Sequence, residues 1–240
     1  MVVVVTIIVV LLFPLIIKYG YLYLIYKQSG YTGHSFIDTM IKDDKKARGA
    51  MGELLICRTL KKIKNGRVVS NAYVYTSNDV SGEYKSYEID VIFIHTTGIY
   101  VIESKNLKGM IKGDDKYPQW HRYIGRKKYE FINPLRQNRK HIQALNQLLD
   151  QQYNDKVFNF VVFSERCNVK KMVYDRTKAR VCKINNLYKV IKRVIEKSPN
   201  VFTDEQVEYL YHKLEYATKV SEDAKLKHIE DITHKEDGVL

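Results

Sequence analysis

Apolar and polar positions divide the chain into blocks of different rhythm. From Val2 to Ile17 no residue carries a charge, and continuing past Lys18 to Tyr26 gives 25 residues with one charge. About 20 apolar residues cross a bilayer as a helix, so the pattern predicts a transmembrane helix within residues 1–27. Residues 28–42 ("QSGYTGHSFIDTMIK") carry Gly and Ser and read as a linker. A helical period follows, with Asp43 or Asp44 as cap, Met51, Leu54 and Leu55 as an apolar stripe, and Gly66 beyond the end. Gly49 and Gly52 permit close backbone approach on a neighbouring face of that helix.

The rhythm then turns to strands. "RVVSNAYVYT" is one, a polar loop spans Ser77 to Lys85, and "YEIDVIFIHTTGIYVIESKN" from Tyr87 to Asn106 reads as a buried hairpin. A Gly-containing polar stretch, "LKGMIKGDDKYPQW", leads to a short strand through "KKYEFI". "NPLRQNRKHIQALNQLL" opens a helix with Asn133 as N-cap and Pro134 at the first position; Leu135, Asn138, Ile142, Leu145 and Leu149 trace one face. "VFNFVVFS" is an apolar strand of the fully buried kind, and a further short strand falls around Val181 to Ile184. Two helices close the fold. One carries Leu187, Val190, Ile191, Val194 and Ile195 at core spacing; the other opens with a capping box, Thr203 to Gln206, and a Phe202–Val207 staple.

The predicted organisation is a transmembrane anchor (1–27), a linker (28–42), an α/β domain (43–165), a C-terminal strand and helical extension (166–219) and a polar, mobile tail (220–240). Tyr19, Tyr21, Tyr23 and Tyr26 resemble an interfacial aromatic belt, and the nearest basic residues, Lys18, Lys27, Lys42, Lys45, Lys46 and Arg48, all follow the apolar run. The positive-inside rule then makes the protein single-pass with its main domain in the cytoplasm.

Charge sharpens this picture. Lys plus Arg outnumber Asp plus Glu by 40 to 27, a formal +13, which favours an anionic partner, nucleic acid or an acidic membrane surface. The three cysteines, Cys57, Cys167 and Cys182, form no C-x-x-C pair, against both a disulfide framework and a structural zinc site. No protein partner is identifiable from the pattern.

The hairpin holds the candidate chemistry. Alternation places Glu88, Asp90, Ile92 and Ile94 on one face, and Ile99, Val101, Glu103 and Lys105 on one face of the partner strand. A turn at Thr96-Thr97 sets Asp90 opposite Glu103; a turn at Thr97-Gly98 sets it opposite Lys105. In both registers the three groups point to the same side. Two carboxylates about 5 Å apart repel unless a cation lies between them, and hard oxygen ligands suit Mg²⁺ or Mn²⁺. Lys105 beside such an ion would orient a water and stabilise charge on phosphorus. The structural alternative is a cross-strand ion pair between Asp90 and Lys105.

The order of elements, helix-strand-strand-strand-helix-strand with Asp90 in one strand and Glu103-x-Lys105 in the next, resembles the restriction-endonuclease-like PD-(D/E)XK nuclease superfamily. More narrowly the chain resembles the nuclease-related domain (NERD) family, through Gly49-x-x-Gly52-Glu53, Glu88-Ile89-Asp90, "GIYVIESKNLKGMIKG", Trp120 and "NPLRQN", covering roughly Lys45 to Phe163. The resemblance implies a central mixed sheet flanked by helices and hydrolysis of DNA phosphodiesters. It makes Asp90 and Glu103 ligands of Mg²⁺, with the Ser104 carbonyl as a third, Lys105 the catalytic lysine and Glu53 a supporting helix carboxylate. Gln137 matches a family position near the active-site face, although the tyrosine that relatives place four residues later is here His141.

Arg122, Arg126, Lys127, Lys128, Arg136, Arg139 and Lys140, interleaved with Tyr117, Trp120, Tyr123 and Tyr129, fit a surface that tracks phosphates and stacks bases. Two rival functions remain beside the membrane-anchored nuclease: a nucleic-acid-binding module that keeps the fold without turnover, and a membrane-surface module whose charge meets anionic lipid.

Overall fold

The computed structural model describes residues 2–42, 45–77 and 84–219. A long helix, α1 (Val2–Ser29), leads through a short π-helical turn (Ile37–Ile41) to α2 (Lys45–Leu60). Three strands follow, β1 (Gly66–Ser77), β2 (Tyr84–His95) and β3 (Gly98–Lys105), then β4 (Gly109–Asp114), β5 (Gln119–Ile124) and β6 (Lys127–Ile132). After α3 (Pro134–Leu148) come β7 (Val157–Phe163), β8 (Cys167–Val173), β9 (Ala179–Lys183), α4 (Ile184–Ile195) and α5 (Asp204–Tyr216).

The strands form two sheets. The central one has the order β1-β2-β3-β7-β9, antiparallel from β1 to β3 and parallel from β3 to β9. Parallel pairing of β3 with β7 requires a crossover, supplied by α3 and the smaller sheet β6-β5-β4-β8. Helices α2 and α4 cover one face of the central sheet, where Leu54, Cys57, Phe93, Tyr100, Phe160 and Ile191 meet. Helices α3 and α5 cover the other, over Ile92, Ile94, Val101, Leu145, Val207 and Leu210. The expected mixed sheet flanked by helices is therefore present.

Several boundaries differ from the sequence reading. Gly66 starts β1 rather than ending the helix: α2 stops at Leu60, and Asn65, at φ 57°, makes the intervening turn. The stretch expected to be polar loop holds β4 and β5. Its organising residue is Trp120, fully buried, stacked on Phe163 at 6.4 Å between centroids and donating Nε1–H to the Asp114 carbonyl. β8 was not expected at all, since Lys170 and Lys171 break its apolar alternation.

Residues 28–42, read as a linker, are packed onto the domain. Ser29, Tyr31 and Thr39 are buried, and Thr32 N–H donates to Ser70 Oγ. Among the described residues no helix is long and apolar enough to cross a membrane. The side chains of residues 2–11 lie outside the described ones, as do the Asp43 and Asp44 cap, residues 78–83 of the β1–β2 loop and the tail from 220. Residues 2–29 form a helix, and the transmembrane reading of residues 1–27 finds no support among the described residues.

At the C-terminal end the capping box forms as the sequence predicts. Thr203 Oγ1 accepts from Gln206 N–H, the Gln206 side chain accepts from Thr203 N–H, and Phe202 and Val207 are buried in one cluster. The central crossover is locked by Asn138, fully buried on α3. Its amide group donates to the carbonyls of Val101 on β3 and Phe160 on β7 and to Asn159 Oδ1. Replacing Asn138 by Ala strips a donor from buried acceptors on two strands, so denaturant unfolding is expected to show a loss of about 2 kcal/mol. The Thr203→Ala change, at an exposed cap, is expected to cost about 1 kcal/mol.

Candidate active site

The pairing of β2 with β3 runs from His95↔Gly98 to Val91↔Ile102 and stops there. The turn is thus Thr96-Thr97, and continuing the register sets Asp90 across from Glu103, at the point where the strands part. Asp90 Oδ2 takes the Ser104 N–H instead, at 2.7 Å. Pairing is interrupted on the other side too. Asn71 lies in the left-handed region at φ 52°, between Ser70↔Val91 and Ala72↔Ile89. Its amide reaches Glu53 Oε2 at 3.1 Å and Glu88 Oε1 at 3.0 Å. The backbone has opened on both flanks of Asp90, which frees space and donors for side chains.

Into that opening project carboxylates from three elements. Glu53 comes from α2, Glu88 and Asp90 from β2, and Glu103 from β3. Glu103 is 1% exposed; its Oε1 pairs with Lys105 Nζ at 2.6 Å, and Lys105 Nζ also donates to Gln137 Oε1 at 3.0 Å. Glu103 Oε2 has no aligned hydrogen bond, although His141 Nδ1 lies 3.3 Å away. Tyr31 donates its hydroxyl to Glu53 Oε2 at 2.7 Å.

These neighbours set the protonation states. Burial, then the charges of Glu103 and Glu53, push the Asp90 carboxyl well above the usual carboxylate range, against the pull of Lys105 and the Ser104 N–H. Burial pushes Glu53 up to about 7, although the Tyr31 and Asn71 hydrogen bonds act to lower it. Burial alone would lower Lys105, but the carboxylates of Glu103 and Asp90 outweigh it and hold the ammonium above its ordinary value. Lys105 is therefore charged at neutral pH, while Asp90 and Glu53 resist ionising beside Glu103.

The sequence brings Asp90, Glu103, Lys105, Glu53 and Gln137 into this one place. The basic set divides differently. Trp120 is in the core and offers no ring to a base. Arg136 holds the carbonyls of Asp115 and Lys116, and Arg139 makes a two-pronged pair with the Asp115 carboxylate at 2.8–2.9 Å. Both fasten α3 to the β4–β5 turn. Arg122 lies over the Tyr129 ring at 5.0 Å, and Arg126, Lys127 and Lys128 are exposed at the β5–β6 turn. Lys140 is exposed on α3 beside His141.

Three contributors escaped the sequence reading. Tyr31 lay in a presumed linker, and Asn71 sat inside an ordinary-looking strand. His141 gave a signal only through the resemblance, as the residue four after Gln137. Among the described residues no group of three or more His, Cys, Asp or Glu side chains is arranged to hold a metal ion. Any ion here would rest on two carboxylates, a backbone carbonyl and water.

The raised Glu53 carboxyl makes stability depend on pH. Below about 4.5 it is protonated in both folded and unfolded chains; between there and about 7 only the unfolded chain ionises, so stability falls as pH rises, and above 7 the loss is complete. Glu53→Gln keeps an acceptor for Tyr31 and has no proton to lose. With divalent cations chelated, urea unfolding is expected to show no advantage for the variant near pH 4.5 and an advantage of up to about 3 kcal/mol at pH 8. Equal stability at pH 8 would contradict the burial of this charge.

Comparison with known proteins fits this geometry. A family model described as the nuclease-related domain matches residues 48–164, from the first turn of α2 through the end of β7. An uncharacterized protein of Bacillus anthracis is 33% identical over 193 residues, covering 79% of this chain and 86% of the relative. No solved structure matches the chain. The chain belongs to the nuclease-related domain family.

Proposed function

We propose that the protein is a metal-dependent nuclease that hydrolyses DNA phosphodiesters and is held at a membrane by its N-terminal helix. The observation that carries this reading is the convergence of Asp90, Glu103 and Lys105 where β2 and β3 part, with Gln137 on Lys105. The donor set fits a hard cation: Glu103 Oε2 is buried without a hydrogen bond, and Asp90 is repelled by Glu103 and Glu53. Asp90, Glu103 and the Ser104 carbonyl would hold Mg²⁺, or Mn²⁺ in its place. When bound, the ion supplies Lewis-acid polarisation of the phosphate. Lys105 then presents its ammonium to the attacked phosphate and to the entering water, and Gln137 keeps it in line. Glu53, proton-bound near neutrality and fixed by Tyr31 and Asn71, supports the metal-side carboxylates.

The exposed cations Arg126, Lys127, Lys128 and Lys140, with Arg122, serve as phosphate contacts for the substrate. The anchor reading rests on α1, whose Leu12, Phe13, Ile16 and Ile17 side chains are uncovered by the rest of the protein. With Lys27 and the later basic residues on the C-terminal side, the nuclease domain faces the cytoplasm. A second reading, a nucleic-acid-binding module without turnover, draws on the Glu103–Lys105 pair: at 2.6 Å it would also serve as a purely structural ion pair.

Full-length protein is expected to cut supercoiled plasmid with Mg²⁺ or Mn²⁺ and not with EDTA. Asp90→Asn and Lys105→Ala should each lower the rate at least about 100-fold while keeping a cooperative melting transition. Cleavage at the natural rate by both variants would sink the assignment; metal-independent binding without cleavage would favour the second reading. Lys127→Glu with Lys128→Glu should weaken DNA binding equally for all sequences and flatten its salt dependence by roughly two counterions.

A further inference from the structure

A cavity of about 660 Å³ lies on the far side of β3 from Lys105, between α2, the π-helical turn, the carboxyl ends of β3 and β7, and the start of α4. Its apolar lining includes Met51 and Leu55 on α2 and Val162 on β7, with the Tyr188 ring of α4, 39% exposed, at its margin. Its charged lining is nearly all of one sign. Lys42, Arg48, Arg58, Lys62 and Arg166 face a single acid, Glu165, which is already paired with Lys183 at 3.0 Å and accepts from Asn185 N–H. Lys42 is tied to Asp38 at 2.6 Å, and Arg166 donates to Asn106 Oδ1 at 3.0 Å. Arg58 and Lys62 add two further cations at the edge of an apolar slot.

We propose that this groove binds a nucleotide, its base against Met51 and Tyr188 and its phosphates on the Arg58 and Lys62 side. The occupant must be anionic to match the rim and must carry a flat apolar part to cover the lining; a nucleoside phosphate has both. The cavity is large enough for one nucleotide, and aromatic stacking on a base is favourable whatever its identity. The Ser104 hydroxyl, which also lines the groove, offers a hydrogen-bonding group to the ligand. The same chemistry has two sources, a free nucleotide or one nucleotide of a bound strand.

The groove adjoins the catalytic elements from behind. Ser104 and Asn106 alternate along β3 and its extension with Glu103 and Lys105, and Gly52 precedes Glu53. A Cβ at Gly52 would stand 2.8 Å from Ser104 Oγ and 3.0 Å from Asn106 Cβ, so α2 rests directly on β3 at this point. Asn106 also donates its amide to the Arg48 carbonyl. A ligand in the groove would lie beside this contact, on the opposite side of β3 from Glu103 and Lys105.

Binding here does not require turnover, so it is measured on full-length protein in EDTA, with Lys105→Ala as the non-cleaving control. The probes are fluorescently labelled ATP and a short 5′-phosphorylated single strand. Saturable binding of either is expected, retained in Lys105→Ala and weakened at least tenfold by Arg58→Glu with Lys62→Glu. Tyr188→Ala, a change at the margin, provides the same test should the charge reversal unfold the chain. Binding of ATP identifies a free nucleotide, and binding of the strand alone identifies a nucleotide of the substrate. No saturable binding, binding untouched by these variants, displacement by inorganic phosphate at the same concentration as by nucleotide, or adsorption only to phosphatidylglycerol vesicles would each overturn the proposal.

Discussion

Everything around the site answers to one electrostatic problem: Glu53, Glu88, Asp90 and Glu103 converge with Lys105 as the cation in their midst. Burying like charges this closely costs free energy, so each carboxylate carries a specific compensation. Glu53 takes two hydrogen bonds and retains a proton near neutrality. Asp90 takes the Ser104 N–H. Glu103 takes the ammonium on one oxygen and has His141 Nδ1 at 3.3 Å from the other. The arrangement is compact and carries several carboxylates around one ammonium, the feature on which the proposed cation binding rests.

The opened backbone follows from that problem. Regular ladders on both sides of β2 would have consumed the N–H groups that Asp90 requires and would have pressed its carboxylate against Glu103. The left-handed turn at Asn71 and the end of β2–β3 pairing at Val91↔Ile102 relieve both conflicts. Asn138 keeps β3 and β7 together beside the opening. The smaller sheet, pinned by Trp120, fixes the lead into α3 and hence the position of Gln137 over Lys105.

Much of this was legible in the sequence, for reasons that are physical. Period-two alternation located Asp90, Glu103 and Lys105 on one face, and one of the two turns considered gave the observed register. Pro134 after Asn133 and the Thr203 box marked helix starts because capping is local chemistry. Readings failed where structure depends on distant partners. β4 and β5 look polar in sequence because their stability comes from Trp120 stacking on Phe163, more than 40 residues away. Tyr31 looks like linker because its partner, Glu53, lies on another helix. Arg136 and Arg139 look like phosphate contacts because nothing in sequence reveals Asp115 folded back against them.

The packing of residues 29–42 changes how the N-terminal helix relates to the chemistry. Ser29 Oγ donates to the Tyr26 carbonyl and accepts from Tyr31 N–H, and the Tyr31 hydroxyl ends on Glu53. Between the last turn of α1 and a carboxylate of the site there is a chain of short contacts and no slack. The helix is a bracket, not a leash: the direction of its last turn is tied through Tyr31 to the direction in which Glu53 is held.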